Sequence, residues 1–256
     1  MLKKNTDWTW EQLEHFFYLS NNEKENVVFQ CSLKELLSEI ALHELLFIYG
    51  KGIQAENKEA TAMYLAGWLG YLCGAMHFFS NVGKQVEAEN ITVQVYKKAN
   101  NHLAISFYIK VEDIIDRKND WIQAFYQLQI TPIYQAFSRL TKNNLLHMWY
   151  QATHSFYWMK HRINHSILSR EIVERYEREL QIFIEKTSPN LFGLTLHPYR
   201  KKFIFVENPW DLNDPMPIKP SCCLAYQTEA GHCCFTCPRM KKEERSSIFQ
   251  RVIATK

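Results

Sequence analysis

Through most of the chain, apolar residues recur every three or four positions, the spacing of a helix with one buried face. In the segment 32–49, the apolar positions are Leu33, Leu36, Leu37, Ile40, Leu45 and Ile48. The same spacing predicts further helices over about 121–140, 145–165 and 169–186. The sequence therefore predicts a body that consists mainly of helices.

The spacing changes to two near residue 90. Residues 91–96 alternate between apolar and polar side chains, 98–101 are typical of a turn, and 103–111 are rich in β-branched and aromatic residues. Two such segments joined by a short turn predict a β-hairpin. The segment 203–206 predicts one more short strand. Helices and strands together predict the α+β class.

The stretch from Ala60 to Gly83 contains no Asp, Glu, Lys or Arg, and its part 62–79 is long enough to span a bilayer. This part, however, lacks Ile and Val and carries one histidine and three glycines, Gly67, Gly70 and Gly74. Small residues at this spacing let two helices approach closely in a membrane or in a protein core. We interpret the stretch as a helix that is buried on most sides within the protein.

The chain has 256 residues and a net charge of +3. The excess of positive charge lies in residues 238–256, which contain six basic and two acidic side chains. So small and local an excess does not produce the extended positive field of nucleic-acid-binding proteins. The sequence also lacks the glycine motifs of a dinucleotide-binding domain and of a P-loop.

Four of the eight prolines fall within 12 residues, at Pro209, Pro215, Pro217 and Pro220. Because proline has no backbone N–H to donate, this stretch is neither a regular helix nor a central strand. We predict a helix-rich body over 1–208, a proline-rich tether over 209–220 and a small C-terminal module over 221–256. The module is expected to end in a basic helix.

Five of the seven cysteines lie within 16 residues of that module, at Cys222, Cys223, Cys233, Cys234 and Cys237. The first residues of the chain are polar, so we expect a reducing compartment, where clustered cysteines indicate a metal site. A Cys-x2-Cys turn can direct two thiolates at one metal. Adjacent side chains point to opposite sides in extended backbone, which favours a polynuclear cluster over one tetrahedral zinc ion. A zinc site is the alternative.

Taken as Cys222, Cys223, Cys234 and Cys237, the cysteines form the pattern Cys-Cys-x10-Cys-x2-Cys. This pattern resembles the C-terminal motif of the FhuF-like ferric siderophore reductases, and the match covers about residues 219–239. The flanking residues are similar to that family too, at Lys219-Pro220-Ser221, Tyr226 and Pro238-Arg239. The chain departs from the family at Cys233, an additional cysteine beside Cys234, so the choice of third ligand stays open.

The resemblance implies an iron–sulfur protein whose four cysteines hold a 2Fe–2S cluster and whose helical body binds a ferric siderophore, with the hydroxamate type favoured. The implied activity is reduction of Fe(III) to Fe(II), which releases the iron because oxygen ligands hold Fe(II) less firmly. We also expect an electron donor of unknown identity, no nucleic-acid partner, and a cytoplasmic location that allows peripheral association with the membrane.

Four histidines recur along the predicted helix 145–165, at His147, His154, His161 and His165. Intervals of seven keep the first three near one face, and the last two have the four-residue spacing of metal ligands. The pattern indicates a polar stripe at a helix interface. A pocket for an anionic ligand or a metal chelate, and a second metal site, are the alternatives.

Two other functions stay open at this point. One is a zinc-stabilised module that binds a small molecule or a protein without redox activity. The other is an iron–sulfur sensor that contacts nucleic acid through the basic tail, although the sequence shows no recognition helix. Metal analysis distinguishes the zinc module from both iron–sulfur proteins.

Overall fold

The structure is a computed structural model that describes residues 8–118 and 120–255; residues 1–7, 119 and 256 lie outside the described part. The helices are α1 (Trp10–Phe17), α2 (Glu39–Gly52), α3 (Lys58–Asn81), α4 (Trp121–Phe125), α5 (Thr131–Thr141), α6 (Leu145–Asn164), α7 (Arg170–Lys186) and α8 (Lys242–Ala254). The strands are β1 (Leu19–Ser20), β2 (Val27–Ser32), β3 (Lys84–Gln85), β4 (Thr92–Lys97), β5 (Leu103–Tyr108), β6 (Ile115–Asp116), β7 (Phe205–Val206) and β8 (Met216–Pro217). With 55% helix and 11% strand, the predicted α+β class is confirmed.

Polar side chains at the helix starts explain where several helices begin. Each accepts a hydrogen bond from a backbone N–H of the first turn, which has no partner within the helix. These N-caps are Thr9, Ser38, Asn57, Asn144 and Ser169, before α1, α2, α3, α6 and α7. Because the caps are local signals, α6 and α7 agree with the predicted segments to within one residue at each end.

The main sheet has the strand order β1–β5–β4–β2. β4 and β5 form the predicted antiparallel hairpin, with Val95 opposite Ile105. β1 joins β5 in parallel, and β2 pairs antiparallel with β4. The helix predicted from residue 32 begins only after Ser38, because Ser32 still belongs to β2 and pairs with Thr92.

Helices α3 and α6 pack against each other at close range in the centre of the body. A Cβ atom added to Gly70 would lie 2.6 Å from the Cα atom of Ala152, so only glycine fits there. Ser155 of α6 donates a hydrogen bond of 2.8 Å to the carbonyl of Gly67. Most of α3 is buried, in agreement with the interpretation of the uncharged stretch. Among the helices of the described ranges, none combines the length and the apolar character that crossing a membrane requires.

The helix predicted over 121–140 is divided in the structure. A π-helical turn, Tyr126–Ile130, separates α4 from α5, and Pro132 occupies the first turn of α5. Proline cannot donate the backbone hydrogen bond that would continue a regular helix. Within the π-turn, the hydroxyl of the buried Tyr126 lies 3.2 Å from Nε2 of His77. The division of the helix therefore places a polar contact inside the core.

The C-terminal residues run along the body before they reach the cysteines. Only two residues of the predicted strand 203–206 pair, because β7 meets the short edge strand β8 within the proline-rich stretch. Beyond β8, the backbone N–H of Lys219 donates to the carbonyl of Thr236 and closes the cysteine-containing loop. α8 follows the last cysteine. The division into body, tether and module stays a prediction.

Candidate metal centre

The backbone just before the first two cysteines is anchored to α6. The side-chain amide of Gln151 donates to the carbonyl of Ser221 at 3.0 Å and to its hydroxyl at 2.6 Å. The Ser221 hydroxyl in turn donates to the backbone carbonyl of His147 at 2.7 Å. Gln151 and Ser221 are both buried. This shared network holds Cys222 and Cys223 at a defined place on the body.

A second anchor joins the loop that follows these cysteines to the end of α2. The Glu56 N–H donates to the Gln227 carbonyl, and the Glu229 N–H donates to the Ile53 carbonyl, both at 2.9 Å. The Glu229 carboxylate also lies 3.1 Å from Nδ1 of His102. The cysteine loop is thus attached to the body on two sides.

The local backbone explains why the adjacent residues Cys222 and Cys223 contact different cysteines. Leu224 has a φ of 59°, a left-handed conformation that turns the chain sharply after Cys223. The Leu224 N–H donates to Sγ of Cys222 at 3.4 Å, and the Ala225 N–H donates to Sγ of Cys223. Each of the two sulfurs therefore accepts a hydrogen bond from the backbone N–H of the residue two positions later.

The second part of the motif has the same local geometry. The Cys237 N–H donates to the Cys234 carbonyl at 2.8 Å, which closes the turn predicted from the Cys-x2-Cys spacing. The Arg239 N–H donates to Sγ of Cys237 at 3.4 Å. Three of the four predicted ligands thus accept a backbone N–H bond at sulfur, and such bonds tune iron–sulfur clusters.

The four predicted ligands come together as two pairs. The sulfurs of Cys222 and Cys237 lie 3.7 Å apart. The thiols of Cys223 and Cys234 interact, and the interaction lowers the pKa of Cys223 and raises that of Cys234. Two thiolates on one tetrahedral metal, each about 2.3 Å from it, would be separated by about 3.8 Å, so the measured distance fits two ligands of one metal.

Two pairs of thiols are what a 2Fe–2S cluster requires, since each of its irons takes two cysteines. The described residues therefore fit such a cluster through Cys222 with Cys237 and through Cys223 with Cys234. Within residues 8–118 and 120–255, no group of three or more Cys, His, Asp or Glu side chains could hold a single metal ion, so the thiols match a two-iron cluster only as two separate pairs.

Cys233 and Cys234 have different neighbours. Its thiol interacts with Cys237 and is near the charges of Glu244 and Arg239, whereas Cys234 faces Cys223. Burial and Cys237 raise the pKa of Cys233. The geometry thus favours Cys234 as the partner of Cys223, and it leaves Cys233 as a second thiol close to Cys237.

Lys219 provides a cation in direct contact with one of the cysteine sulfurs. The ammonium group of Lys219, half-buried, donates to Sγ of Cys223 at 3.2 Å. The hydrogen bond from Cys234 and the charge of Lys219 lower the pKa of Cys223 to about 5, although burial opposes this. Burial alone would lower the pKa of Lys219, but the charges of Cys223 and Cys234 raise it. Burial raises the pKa of Cys222 to about 11. Cys234 and Lys219 thus favour the thiolate form of Cys223.

The four histidines, three on α6 and His165 directly after it, do not share a site in the structure. His147 lines a hollow that Cys222 also touches. Burial lowers the pKa of His154 to about 3, so this ring stays neutral. His161 lies 2.9 Å from a carboxylate oxygen of Asp214, and its ring stacks on His165 at 4.4 Å. Of these four, His154 lines a cleft together with Cys223 and Cys234, and His232 lines that cleft as well.

A cleft of about 460 Å³ opens next to Cys223 and Cys234. We call it the aromatic cleft because five aromatic side chains line it, Tyr18, Tyr49, Tyr64, Trp68 and Tyr71. The cleft could not be predicted from the sequence, since α3 supplies three of these side chains, α2 supplies Tyr49, and Tyr18 follows α1. The one sequence signal for the cleft was the spacing of Tyr64, Trp68 and Tyr71 along α3. Ordinary core residues of a helix have the same spacing, so it does not indicate a cleft.

Comparison with protein-family models finds no match for this chain, and comparison with curated proteins finds no significant match. The resemblance of residues 219–239 therefore stays an expectation from the sequence.

Proposed function

We propose that the chain is an iron–sulfur electron-transfer protein that reduces Fe(III) bound in a siderophore. The observation that carries the proposal is the arrangement of four thiols as two pairs, Cys222 with Cys237 and Cys223 with Cys234. The backbone N–H bonds to sulfur and the adjacent aromatic cleft support it further. The motif that resembles the FhuF-like reductases contains these same four cysteines.

These four cysteines would hold the 2Fe–2S cluster. When bound, such a cluster supplies one electron at a potential that depends on charge and on hydrogen bonds to sulfur. The N–H groups of Leu224 and Arg239 and the ammonium group of Lys219 all donate to ligand sulfurs. Because these donors are positive at hydrogen, they stabilise the negative charge that reduction adds. The burial of Cys223 and Cys237 keeps water away from two of the sulfurs.

The substrate would bind in the aromatic cleft, against Cys223 and Cys234. A ferric chelate bound there would lie beside Cys223 and Cys234, two of the residues that would hold the cluster. Oxygen ligands hold Fe(III) firmly and Fe(II) weakly, so the transfer of one electron is itself the release step. A separate one-electron donor restores the protein after each transfer. We place this cycle in the cytoplasm, with peripheral association at the inner face of the membrane as a further expectation.

Anaerobic purification followed by metal and sulfide analysis tests the proposal. We expect about two irons and two sulfides per chain, no EPR signal as isolated, and a signal after one-electron reduction. The reduced protein should then convert a ferric siderophore to Fe(II), trapped by a ferrous-specific chelator. Stoichiometric zinc in protein never exposed to air would instead establish the zinc-stabilised module.

Two adjacent cysteines provide a matched pair of variants. Cys234 faces Cys223, so Cys234→Ala should lose most of the iron and of the visible spectrum, whereas Cys233→Ala should keep both. The two substitutions remove the same atoms one residue apart. Iron retained in Cys234→Ala but lost in Cys233→Ala would shift the motif by one residue and weaken the family resemblance.

A further inference from the structure

His154 of α6 is held as a single tautomer by its neighbour Trp158. The indole N–H of Trp158 donates to Nε2 of His154 at 3.0 Å. An indole nitrogen can only donate, so Nε2 accepts and carries no proton. Burial and the positive charge of Lys219 lower the pKa of His154 to about 3, so the ring is neutral near pH 7. A neutral ring without a proton on Nε2 carries its proton on Nδ1.

The proton on Nδ1 has no acceptor in the described part of the chain. The one side-chain hydrogen bond that His154 makes there is the bond from Trp158 to Nε2. Nδ1 is also not one of the buried side-chain atoms of the described residues that lack a hydrogen-bond partner, so it is open to solvent. The ring lines the aromatic cleft together with Cys223 and Cys234. His154 therefore brings an unused N–H donor to the wall of the cleft.

Several other polar side chains of the cleft already donate to the protein. They are Gln151, Ser155, Trp68 and Lys219, which donate to Ser221, Gly67, Tyr49 and Cys223, respectively. Each of these four would have to break a hydrogen bond before it could donate to a ligand, and breaking it leaves a polar group without a partner. His154 can donate to a ligand without that cost.

A ferric chelate offers acceptors that suit this donor. Each oxygen that binds the iron keeps a second lone pair, and a hydrogen bond to it draws electron density away from the metal. The bond therefore weakens the hold of the oxygen on Fe(III). Fe(II) withdraws less density than Fe(III), so the same oxygen becomes a better acceptor as the iron is reduced. An interaction that strengthens along the reaction accelerates it.

We propose that His154 donates from Nδ1 to an oxygen ligand of the ferric chelate in the aromatic cleft and thereby favours its reduction, and that Trp158 positions this donor by fixing the tautomer. The inference rests on the proposed function and adds a residue that contacts the substrate. One electron passes from the cluster to Fe(III), and His154 keeps its proton throughout. Hydroxamates and catecholates both bind iron through oxygen, so both classes can accept this bond.

Three substitutions of His154 test the position of the donor. Asparagine places an amide nitrogen as far along the side chain as Nδ1, glutamine places it as far as Nε2, and phenylalanine has no donor. The assay is calorimetric titration of the anaerobically purified full-length protein with a Ga(III) chelate, because Ga(III) matches Fe(III) in charge but is not reduced. The probes are a tris-hydroxamate and a tris-catecholate chelate, and the variants are compared with the probe that the wild type binds more tightly.

We expect His154→Phe and His154→Gln to bind the probe about three- to tenfold more weakly, the effect of one lost hydrogen bond, and His154→Asn to stay within about twofold of the wild type. The exposed His43→Asn on α2 is the matched control and should change nothing. Equal losses in His154→Asn and His154→Gln, or wild-type affinity in His154→Phe, would overturn the inference. The comparison of asparagine with glutamine decides the matter even where phenylalanine disturbs the fold.

Trp158→Phe tests the tautomer while the His154 ring stays in place. Without the indole donor, the proton can move to Nε2, so only part of the protein presents the donor, and affinity should fall about two- to fivefold. In the His154→Asn background, where no tautomer exists, Trp158→Phe should cause no further loss. An equal loss in both backgrounds would overturn the positioning role of Trp158.

Reduction of the matching Fe(III) chelate gives a second readout and separates this inference from the proposed function. His154→Phe should lower kcat as well as affinity, because the hydrogen bond strengthens during reduction; a higher KM with unchanged kcat would overturn the effect on reduction. If every His154 variant holds the cluster and reduces the chelate like the wild type, the function stands and the inference is wrong. If the wild type binds no chelate, the inference and the siderophore substrate both fail, and iron and sulfide analysis decides whether an electron-transfer protein remains.

Discussion

Replacement of Gln151 by leucine should detach the cysteine loop from the body. The Gln151 amide makes two buried hydrogen bonds to Ser221, the residue that precedes Cys222, at 3.0 and 2.6 Å. Leucine retains most of the apolar volume but can donate neither bond. The change therefore removes the polar connection between α6 and the loop with little loss of packing.

The expected cost follows from these contacts. Each lost hydrogen bond contributes about 1 kcal/mol to stability, and a buried carbonyl left without a partner costs about 1–3 kcal/mol more. Ser221 is only 5% exposed, so water does not readily replace the amide. We expect Gln151→Leu to destabilise the docked loop by about 2–4 kcal/mol.

Hydrogen exchange measured on the metal-free protein, together with urea unfolding, checks this estimate. Amides of residues 221–239 should exchange at least about tenfold faster in Gln151→Leu, since 1.4 kcal/mol corresponds to a factor of ten. The matched control is Gln181→Leu on α7, where the side chain makes only an exposed bond to Glu185. That variant should lose less than about 0.5 kcal/mol. Equal exchange of residues 221–239 in both variants would refute the assigned role of Gln151.

Three further predictions concern the body. Loss of solvation lowers the pKa of the buried His77 to about 3, so below pH 6.5 the unfolded chain binds a proton that the folded chain does not. Between pH 6.5 and 5 the free energy of unfolding should therefore fall by about 1.6 kcal/mol more in the wild type than in His77→Phe. The exposed His43→Phe is the control, and the same pH dependence in His77→Phe as in the wild type would contradict the prediction. Gly70→Ala should lower the free energy of unfolding in urea by at least about 2 kcal/mol, because the added Cβ would lie 2.6 Å from the backbone of α6. Gly67→Ala should be neutral or stabilising, because its added Cβ would lie 3.8 Å from the Ser155 hydroxyl. A chain that ends at Asn213 should keep its helical circular dichroism and unfold cooperatively, because the buried core cluster comes from the body; a molten spectrum would contradict the predicted division.

Most helices followed from local patterns. The segments predicted over 145–165 and 169–186 agree closely with α6 and α7, because a cap residue, Asn144 or Ser169, marks each start. The hairpin β4–β5 followed from alternation and a short turn. In contrast, β2 was missed and the break between α4 and α5 was not expected. β2 exists because it pairs with β4, more than 60 residues away, and no local pattern reports such a contact.

The sequence by itself determined the α+β class, the main helices and the four cysteines whose spacing indicates a metal centre, since each of these depends on residues that are close along the chain. Only the tertiary structure decided that Cys222 lies with Cys237 and Cys223 with Cys234. It also decided that Tyr18, Trp68 and Lys219 meet in one cleft beside those thiols. These residues follow α1, lie within α3 and precede the cysteine loop. Their meeting depends on the close packing of α3 with α6 and on the anchoring of the loop to both α6 and the end of α2, which are contacts between distant segments that spacing along the chain cannot specify.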